Sequence, residues 1–310
     1  MLGKAYCNDF FKMIQFKPIS LEDKALFNRF FESVNYRICD FAFANLFCWQ
    51  KQYSTTFAVV DDFLLIRYIC DDGLPCYMMP VGNGDLKKIL LRMLELANAS
   101  FERFRIHAVT ADMFADIDAA LPHTFFFTPQ RDYFEYIYLS ADLIELKGKK
   151  YQSKRNHINR FKINYPEYKF VPFSPELVPA CKALYQKWLH IYNDTHDEKV
   201  LFGEQHAVYE ALANVDYLDL QGLVLFVGNE AVAFTLGQQV TNDTFVVFVE
   251  KALIEYQGAY QFINNAFIKA FASQVTYVNR EEDLGILSLR QAKMSYHPVK
   301  FLERGSVCLK

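Results

Sequence analysis

The strongest constraint on this fold is an order of patterns that occurs twice. Thr56–Val60 and Phe63–Arg67 flank Asp61-Asp62 and read as a hairpin. A short strand at Tyr77–Met79 and a glycine turn, Gly82-Asn83-Gly84, follow. Next comes a helix with Leu86, Ile89, Leu90, Met93, Leu94 and Ala97 on one face, then a strand at Arg105–Val109. The second set opens with a hairpin, Leu223–Val227 and Ala231–Leu236 about Gly228-Asn229. Thr244–Val249 is an unbroken apolar run, which predicts a sheet centre. Gln257-Gly258 opens a helix with Ala259, Phe262, Ile263, Ala266, Phe267, Ala270 and Phe271 inward, and Gln274–Val278 is the next strand. Helical segments precede each set: Leu21–Phe31, the stripe Leu177, Cys181, Leu184, Tyr185, Trp188 and Tyr192, and the stripe Ala207, Val208, Ala211 and Leu212. The expectation is a duplicated α/β (α+β) architecture with mixed central sheets flanked by helices.

At 310 residues the chain exceeds what one core usually holds, which independently asks for two domains. The boundary is expected where the aromatic run Tyr133–Leu139 gives way to the basic stretch from Lys147, dividing the chain into 1–145 and 146–310. Residues 1–145 carry 14 basic and 19 acidic side chains, whereas residues 146–310 carry 19 and 17. An anionic ligand is therefore expected on the second half. A net charge of −3 speaks against a nucleic-acid coat protein but not against a local basic patch.

Seven scattered cysteines without a C-x-x-C pair read as core thiols of a reducing cytosol. His190 and His196, six apart, do not share a helix face, and no metal site is expected. Lys4, Asn8, Asp9 and Lys12 interrupt any leader-like apolar run, and no stretch has the length of a membrane span. The expected location is cytoplasmic, with contact at the inner face of a membrane left open.

Three segments carry chemistry. Lys147–Lys162 holds seven Lys/Arg and no acid in 16 residues. Lys150, Lys154, Arg155, His157 and Arg160 are candidates for binding phosphate on RNA, a lipid head group or a pyrophosphate; the alternative is a solvated helix between domains. In Glu250–Ala259 a buried strand ends in charge and Gly258 opens a helix, so Lys251, Gln257 and Gly258 are candidate anion contacts. The alternative is a plain strand-to-helix turn. The third segment, Asn279–Gly285 with Leu289–Pro298, follows an apolar strand. Asn279, Arg280, Arg290 and Lys293 suit an anionic group. Glu250 and Asp283 suit an acceptor-positioning or basic role, with Tyr296 as a proton relay. The alternative is a surface loop.

These segments together resemble an uncharacterised bacterial family related to the C-terminal domain of phosphatidylglycerol lysyltransferase. The resemblance rests on Leu146–Phe161, Glu250-Lys251 with Gln257–Gln261, Ile263 and Asn264, and Asn279–Gly285 with Leu289-Arg290, Ala292-Lys293, Ser295-Tyr296 and Pro298. It also rests on Phe41–Trp49, Pro80–Asp85 and Arg131-Asp132-Tyr133. It runs from about Met13 to Glu303, which makes Met13 an alternative start. It implies two tandem acetyltransferase-like (GNAT) domains. Relatives with this doubled fold, including the Fem-type peptidyltransferases, move an amino acid from aminoacyl-tRNA to a lipid or cell-wall precursor. The resemblance thus implies an acyl- or aminoacyltransferase with tRNA as a partner. Coenzyme A-dependent acetylation and a non-catalytic anion-binding module are the alternatives. Glu255–Tyr260 has one glycine and no Arg, a poor match to a coenzyme A pyrophosphate loop.

Overall fold

The computed structural model describes residues 14–192 and 198–310. Met13, Cys7 and His196 lie outside the described residues. In chain order the elements are β1 (Lys17–Pro18), α1 (Lys24–Phe31), α2 (Phe43–Tyr53), β2 (Thr56–Val60), β3 (Phe63–Ile69), β4 (Pro75–Tyr77), β5 (Val81–Gly82), α3 (Leu86–Ala99), β6 (Arg105–Thr110), α4 (Ala111–Ala120) and β7 (Phe125–Pro129). They continue with β8 (Glu135–Leu139), α5 (Ser140–Glu145), α6 (Gln152–Asn164), β9 (Tyr168–Pro172), α7 (Val178–Tyr192), α8 (Glu198–Ala213), β10 (Gln221–Val227), β11 (Glu230–Gln239) and β12 (Thr244–Ala252). The last are α9 (Ala259–Phe271), β13 (Tyr277–Asn279), α10 (Leu287–Met294), β14 (Lys300–Leu302) and β15 (Arg304–Leu309).

Both expected hairpins form, β2–β3 and β10–β11, and both apolar-faced helices form as α3 and α9. Asp85 caps α3 by accepting from the Lys88 amide at 3.1 Å. Two seven-position sheets have the same order. The first runs β1-β2-β3-β4-β6-β15-β7, with β5 added on β3; the second runs β9-β10-β11-β12-β13-β8-β14. Each has one parallel neighbour pair, β4–β6 and β12–β13, at the same place. β12 is the central strand, as its unbroken apolar run predicts.

The sheets do not divide where composition changes. β8, expected to close the first half, pairs with β13 and β14 of the second sheet. β15, at the end of the chain, lies between β6 and β7 of the first sheet. Each half thus lends the other its sixth-position strand. Period-2 patterning shows that a segment is a strand but not which sheet receives it. The second sheet is covered by α5, α6 and α9 on one face. Its other face packs on α7 and α8 within a core shared with the first half.

Cys70 and Cys76 form a disulfide across the β3–β4 loop, correcting the reading of all cysteines as thiols. A separation of six carries no motif, so only the hairpin geometry brings them together. Cys39, Cys48, Cys181 and Cys308 are buried thiols. Among the described residues no helix is long and apolar enough to cross a membrane.

The exchanged strands begin side by side in a buried charge network. Arg304, 4% exposed, opens β15 and binds Asp40, Glu135 at 2.9 Å and Glu282 at 3.1 Å. Glu135 opens β8 and accepts from the Cys39 amide and from Asn279. Removing one member of a buried pair strands its partner's charge. Arg304→Ala is expected to lower stability by about 3–5 kcal/mol in urea unfolding, and Glu135→Gln in that background to recover part of the loss. Burial raises the Glu135 carboxyl from its ordinary 4.5 to about 7 despite Arg304. The folded state therefore keeps a proton that the unfolded chain releases. This contribution is complete below the unfolded value and is lost as pH rises through about 7. The urea midpoint should fall between pH 5 and 8, and Glu135→Gln should flatten that fall.

Candidate active site at the fork of the second sheet

β12 and β13 run parallel through Thr244–Tyr277, Phe245–Val278 and Val246–Asn279, then part. β12 continues to Ala252 paired only with β11. Parting strands open a wedge at their carboxyl ends, where open α/β sheets hold ligands. Five side chains meet there: Glu250 from β12, Asn264 from α9, Arg280 just past β13, Lys154 from α6 and Tyr296 just past α10.

Arg280 Nη2 donates to Glu250 Oε1 at 2.8 Å, and Asn264 Nδ2 donates to Glu250 Oε2 at 2.6 Å. Lys154 Nζ donates to Ser295 Oγ at 2.6 Å and stands 4.0 Å from the Tyr296 ring centre. The Arg280 guanidinium rests 4.7 Å from the same ring. Loss of water, with Arg280 adding like charge, lowers Lys154 to about 8. Burial pushes the Tyr296 hydroxyl up, so it keeps its proton and the ring serves as a platform between two cations.

Two buried side-chain atoms on residues that bind Glu250 have no hydrogen-bond partner among the described residues: Asn264 Oδ1 and Arg280 Nη1. Asn264 is only 1% exposed. A buried acceptor and a buried donor left unpartnered on two residues that share Glu250 require an explanation, because each normally costs about 1–3 kcal/mol.

Lys154 is in the wedge because of its register on α6. Tyr151, Ile158 and Phe161 form that helix's buried seam, and Lys154 falls on the same stripe. The remaining cations of α6 lie elsewhere. Lys150 is exposed and pairs with Asp142 at 3.1 Å. Arg155 donates to the carbonyls of Leu146 and Gly148, closing the loop before the helix, so its guanidinium is engaged by backbone rather than left for a phosphate. His157 is half-buried and Arg160 exposed.

Other expected site residues turn out to be supports. Asp283 is buried, accepting from Arg290 at 2.6 and 2.9 Å, Arg131 at 3.1 Å, Tyr136 at 2.5 Å and the Gly285 amide at 2.9 Å. These donors hold its carboxyl at about 2 against the desolvation that opposes them. It is a fixed anion rather than a base. Arg290 is taken up by Asp283 and Asp132. Lys293 is buried and donates to the carbonyls of Arg280 and Glu282, while Asn279 donates to Arg37 O and Glu135. These residues shape the loop that aims Arg280.

Lys251 follows Glu250 on a strand and therefore points to the opposite face. There it pairs with Glu204 at 2.8 Å and sits 3.5 Å from the Trp188 ring centre. Gln257 is exposed. Gly258 has φ +96° and caps α9, and any Cβ on it would collide with the His157 carbonyl. Close approach of α6 thus explains the glycine. Cys39, Asp40 and Glu135 lie within ligand distance of one another, but Arg304 already engages both carboxylates.

Asn264 and Ser295 were not singled out as site residues from sequence. For Asn264 the available signal was an amide three residues before the inward Phe267.

The doubled sheet order, each with its parallel fork, defines a tandem GNAT-like protein. The sequence profile described as "Phosphatidylglycerol lysyltransferase, C-terminal" matches residues 31–307, and the chain belongs to that family. A conserved protein of unknown function from Bacteroides thetaiotaomicron is 44% identical, with 96% of this chain and 100% of that one covered and a TM-score of 0.90. L-PGS from Bacillus licheniformis is 16% identical, with coverage of 95% and 93% and a TM-score of 0.64. FemX is 10% identical, with coverage of 95% and 96% and a TM-score of 0.58. The chain spans about half (54%) of the curated relative it matches, an uncharacterized protein of Mycoplasmoides gallisepticum that is 23% identical over 171 residues.

Gly258→Ala should strain a positive φ and force α6 from α9, costing about 1–3 kcal/mol in thermal or urea unfolding. Gln257→Ala, on the exposed neighbour, should cost less than about 0.5 kcal/mol.

Proposed function

We propose that this chain transfers an activated aminoacyl or acyl group to an amine or hydroxyl acceptor at the fork of the second sheet. The observation that carries the reading is that Arg280 Nη1 and Asn264 Oδ1 lack partners among the described residues, with Lys154, of lowered pKa, on the same Tyr296 ring as Arg280. Family membership supports aminoacyl transfer, with aminoacyl-tRNA as donor and a lipid or cell-wall precursor as acceptor.

The chemistry asks for orientation, charge stabilisation and one proton carrier. The acceptor nitrogen or oxygen attacks the ester carbonyl carbon, and the carbonyl oxygen gains negative charge. Arg280 Nη1 is the donor for that oxygen. Lys154, neutral when the acceptor arrives, takes the acceptor's proton. Collapse of the adduct breaks the ester C–O bond, and Lys154 returns the proton to the departing oxygen. Asn264 Oδ1 accepts from an N–H or O–H of the bound partners. Glu250 holds Arg280 and Asn264 in place, and the Tyr296 ring carries both cations. Lys150 just before α6, with half-buried His157 and exposed Arg160 on it, supplies phosphate contacts for the donor; with a lipid acceptor this flank would face an anionic membrane surface. Gly258, closed off by the His157 carbonyl, does not favour a coenzyme A pyrophosphate at the start of α9.

The test is transfer of radiolabelled amino acid from charged tRNA to phosphatidylglycerol vesicles and, separately, to nucleotide-linked cell-wall precursors. Lys154→Ala and Arg280→Lys should lower kcat about 10²–10³-fold. The wild-type rate should rise with pH to a plateau above about 8, as Lys154 loses its proton. Arg160→Ala should weaken tRNA binding and reduce its salt slope by about 1. Saturable tRNA binding without turnover on either acceptor would instead establish a binding module. Full activity in Lys154→Ala would remove the proton-carrier role.

A further inference from the structure

The duplication places a second fork in the first sheet. β4 and β6 are parallel and bridged at Tyr77–Ile106. His107 is the first residue of β6 beyond that bridge, as Arg280 is the first beyond the Val246–Asn279 bridge. The two forks are built from different chemistry. Tyr68 on β3 bonds through its hydroxyl to His107 Nδ1 at 3.1 Å. The Tyr133 ring stands edge-on to His107 at 5.1 Å, and Tyr53, at the end of α2, stands edge-on to Tyr68 at 6.3 Å. Trp49 extends the row 5.9 Å beyond Tyr53.

All five rings are half-buried. Burial raises the hydroxyls of Tyr53, Tyr68 and Tyr133 and lowers His107 to about 4. The row is therefore partly desolvated and partly open to solvent. Carboxylates border the row, one of them outside any ion pair among the described residues. Tyr133 donates to Asp71 Oδ2 at 2.6 Å on the exposed β3–β4 loop, and Asp71, Glu282 and Asp40 all act on the Tyr53 hydroxyl. The neighbouring cations are engaged: Arg105 by both oxygens of Asp72, and Arg304 by Asp40 and Glu135.

We propose that this aromatic row in the first half is a second binding site, and that it takes an organic ammonium group. Ring faces carry negative charge that attracts a cation. A neutral His107 adds no competing charge, and Asp71 has a second oxygen to accept N–H. Asp71, which no salt bridge among the described residues neutralises, disfavours a phosphate there. The proposal goes beyond the transfer reaction and stands without it.

Ligand-detected NMR on the full chain at pH 7 tests this, with n-pentylamine, tetramethylammonium and, as uncharged control, 1-pentanol. Both ammonium probes should bind saturably, and 1-pentanol about tenfold more weakly or worse. Asp71→Asn, a shape-preserving change on an exposed loop, should weaken n-pentylamine binding about tenfold. Tyr53→Leu should weaken both ammonium probes, and Lys154→Ala neither. Equal binding of 1-pentanol, no ammonium binding, or an Asp71→Asn chain that binds like wild type would overturn the proposal. Loss of binding in Lys154→Ala would also overturn it by moving the amine to the other fork. Failure of the transfer assay alone would leave these readings unchanged.

Discussion

Arg304 is the residue on which the architecture turns. It opens the strand that the second half lends to the first, and its guanidinium reaches the residue that opens the strand lent in return. A strand in the middle of a foreign sheet has hydrogen bonds on both edges, so neither half completes its sheet alone. The ion network lies where the two exchanges meet. Burying the Arg304 guanidinium among carboxyl groups is costly, and packing alone would not require it. What the network supplies is registry: Arg304 meets Asp40, Glu135 and Glu282 only when both exchanged strands are in place. We read it as a device for specificity more than for stability.

That registry extends to the candidate site. Glu282 binds Arg304, and Lys293 holds the carbonyls of Arg280 and Glu282. Asp283, one residue further, is fixed by Arg131, Arg290 and Tyr136. The segment carrying Arg280 is therefore pinned on its far side by several charged contacts before its guanidinium meets Glu250. A donor that must already face a developing oxyanion needs such backing, since reorganisation at the moment of reaction weakens the stabilisation. Much of the charge that sequence reading assigned to ligand binding is spent on this backing.

The sequence was informative about elements and less so about partners. The two hairpins, α3, α9 and the central β12 follow directly from apolar spacing and turn residues, because those patterns report local geometry. The destinations of β8 and β15 were not legible, since alternation gives a face and not a neighbour. The candidate site shows the same division. Glu250, Arg280, Lys154 and Tyr296 were singled out from strand ends, charge and the family resemblance, Lys154 as a phosphate contact and Tyr296 as a proton relay, and the structure brings the four side chains together. Asp283 and Lys251 look equally suited in one dimension. Asp283 is separated by its five donors and Lys251 by strand alternation, the one a matter of tertiary contact and the other of a period that could have been applied. Lys154 is the instructive case, because the seam Tyr151–Ile158–Phe161 already placed it inward among cations that otherwise line solvent.

The two forks show what duplication permits. Both occupy the same place in the same strand order, so backbone geometry does not distinguish them. Their side chains do. One fork combines Lys154, Arg280 and a single carboxylate with open hydrogen-bonding atoms. The other sets a row of aromatic rings and a neutral imidazole against Asp71, Asp40 and Glu282. The two forks thus set different side-chain chemistry on equivalent positions of one strand order. Strand exchange joins the two forks, since Arg304 on β15 of the first sheet binds Glu282 on the segment that carries Arg280.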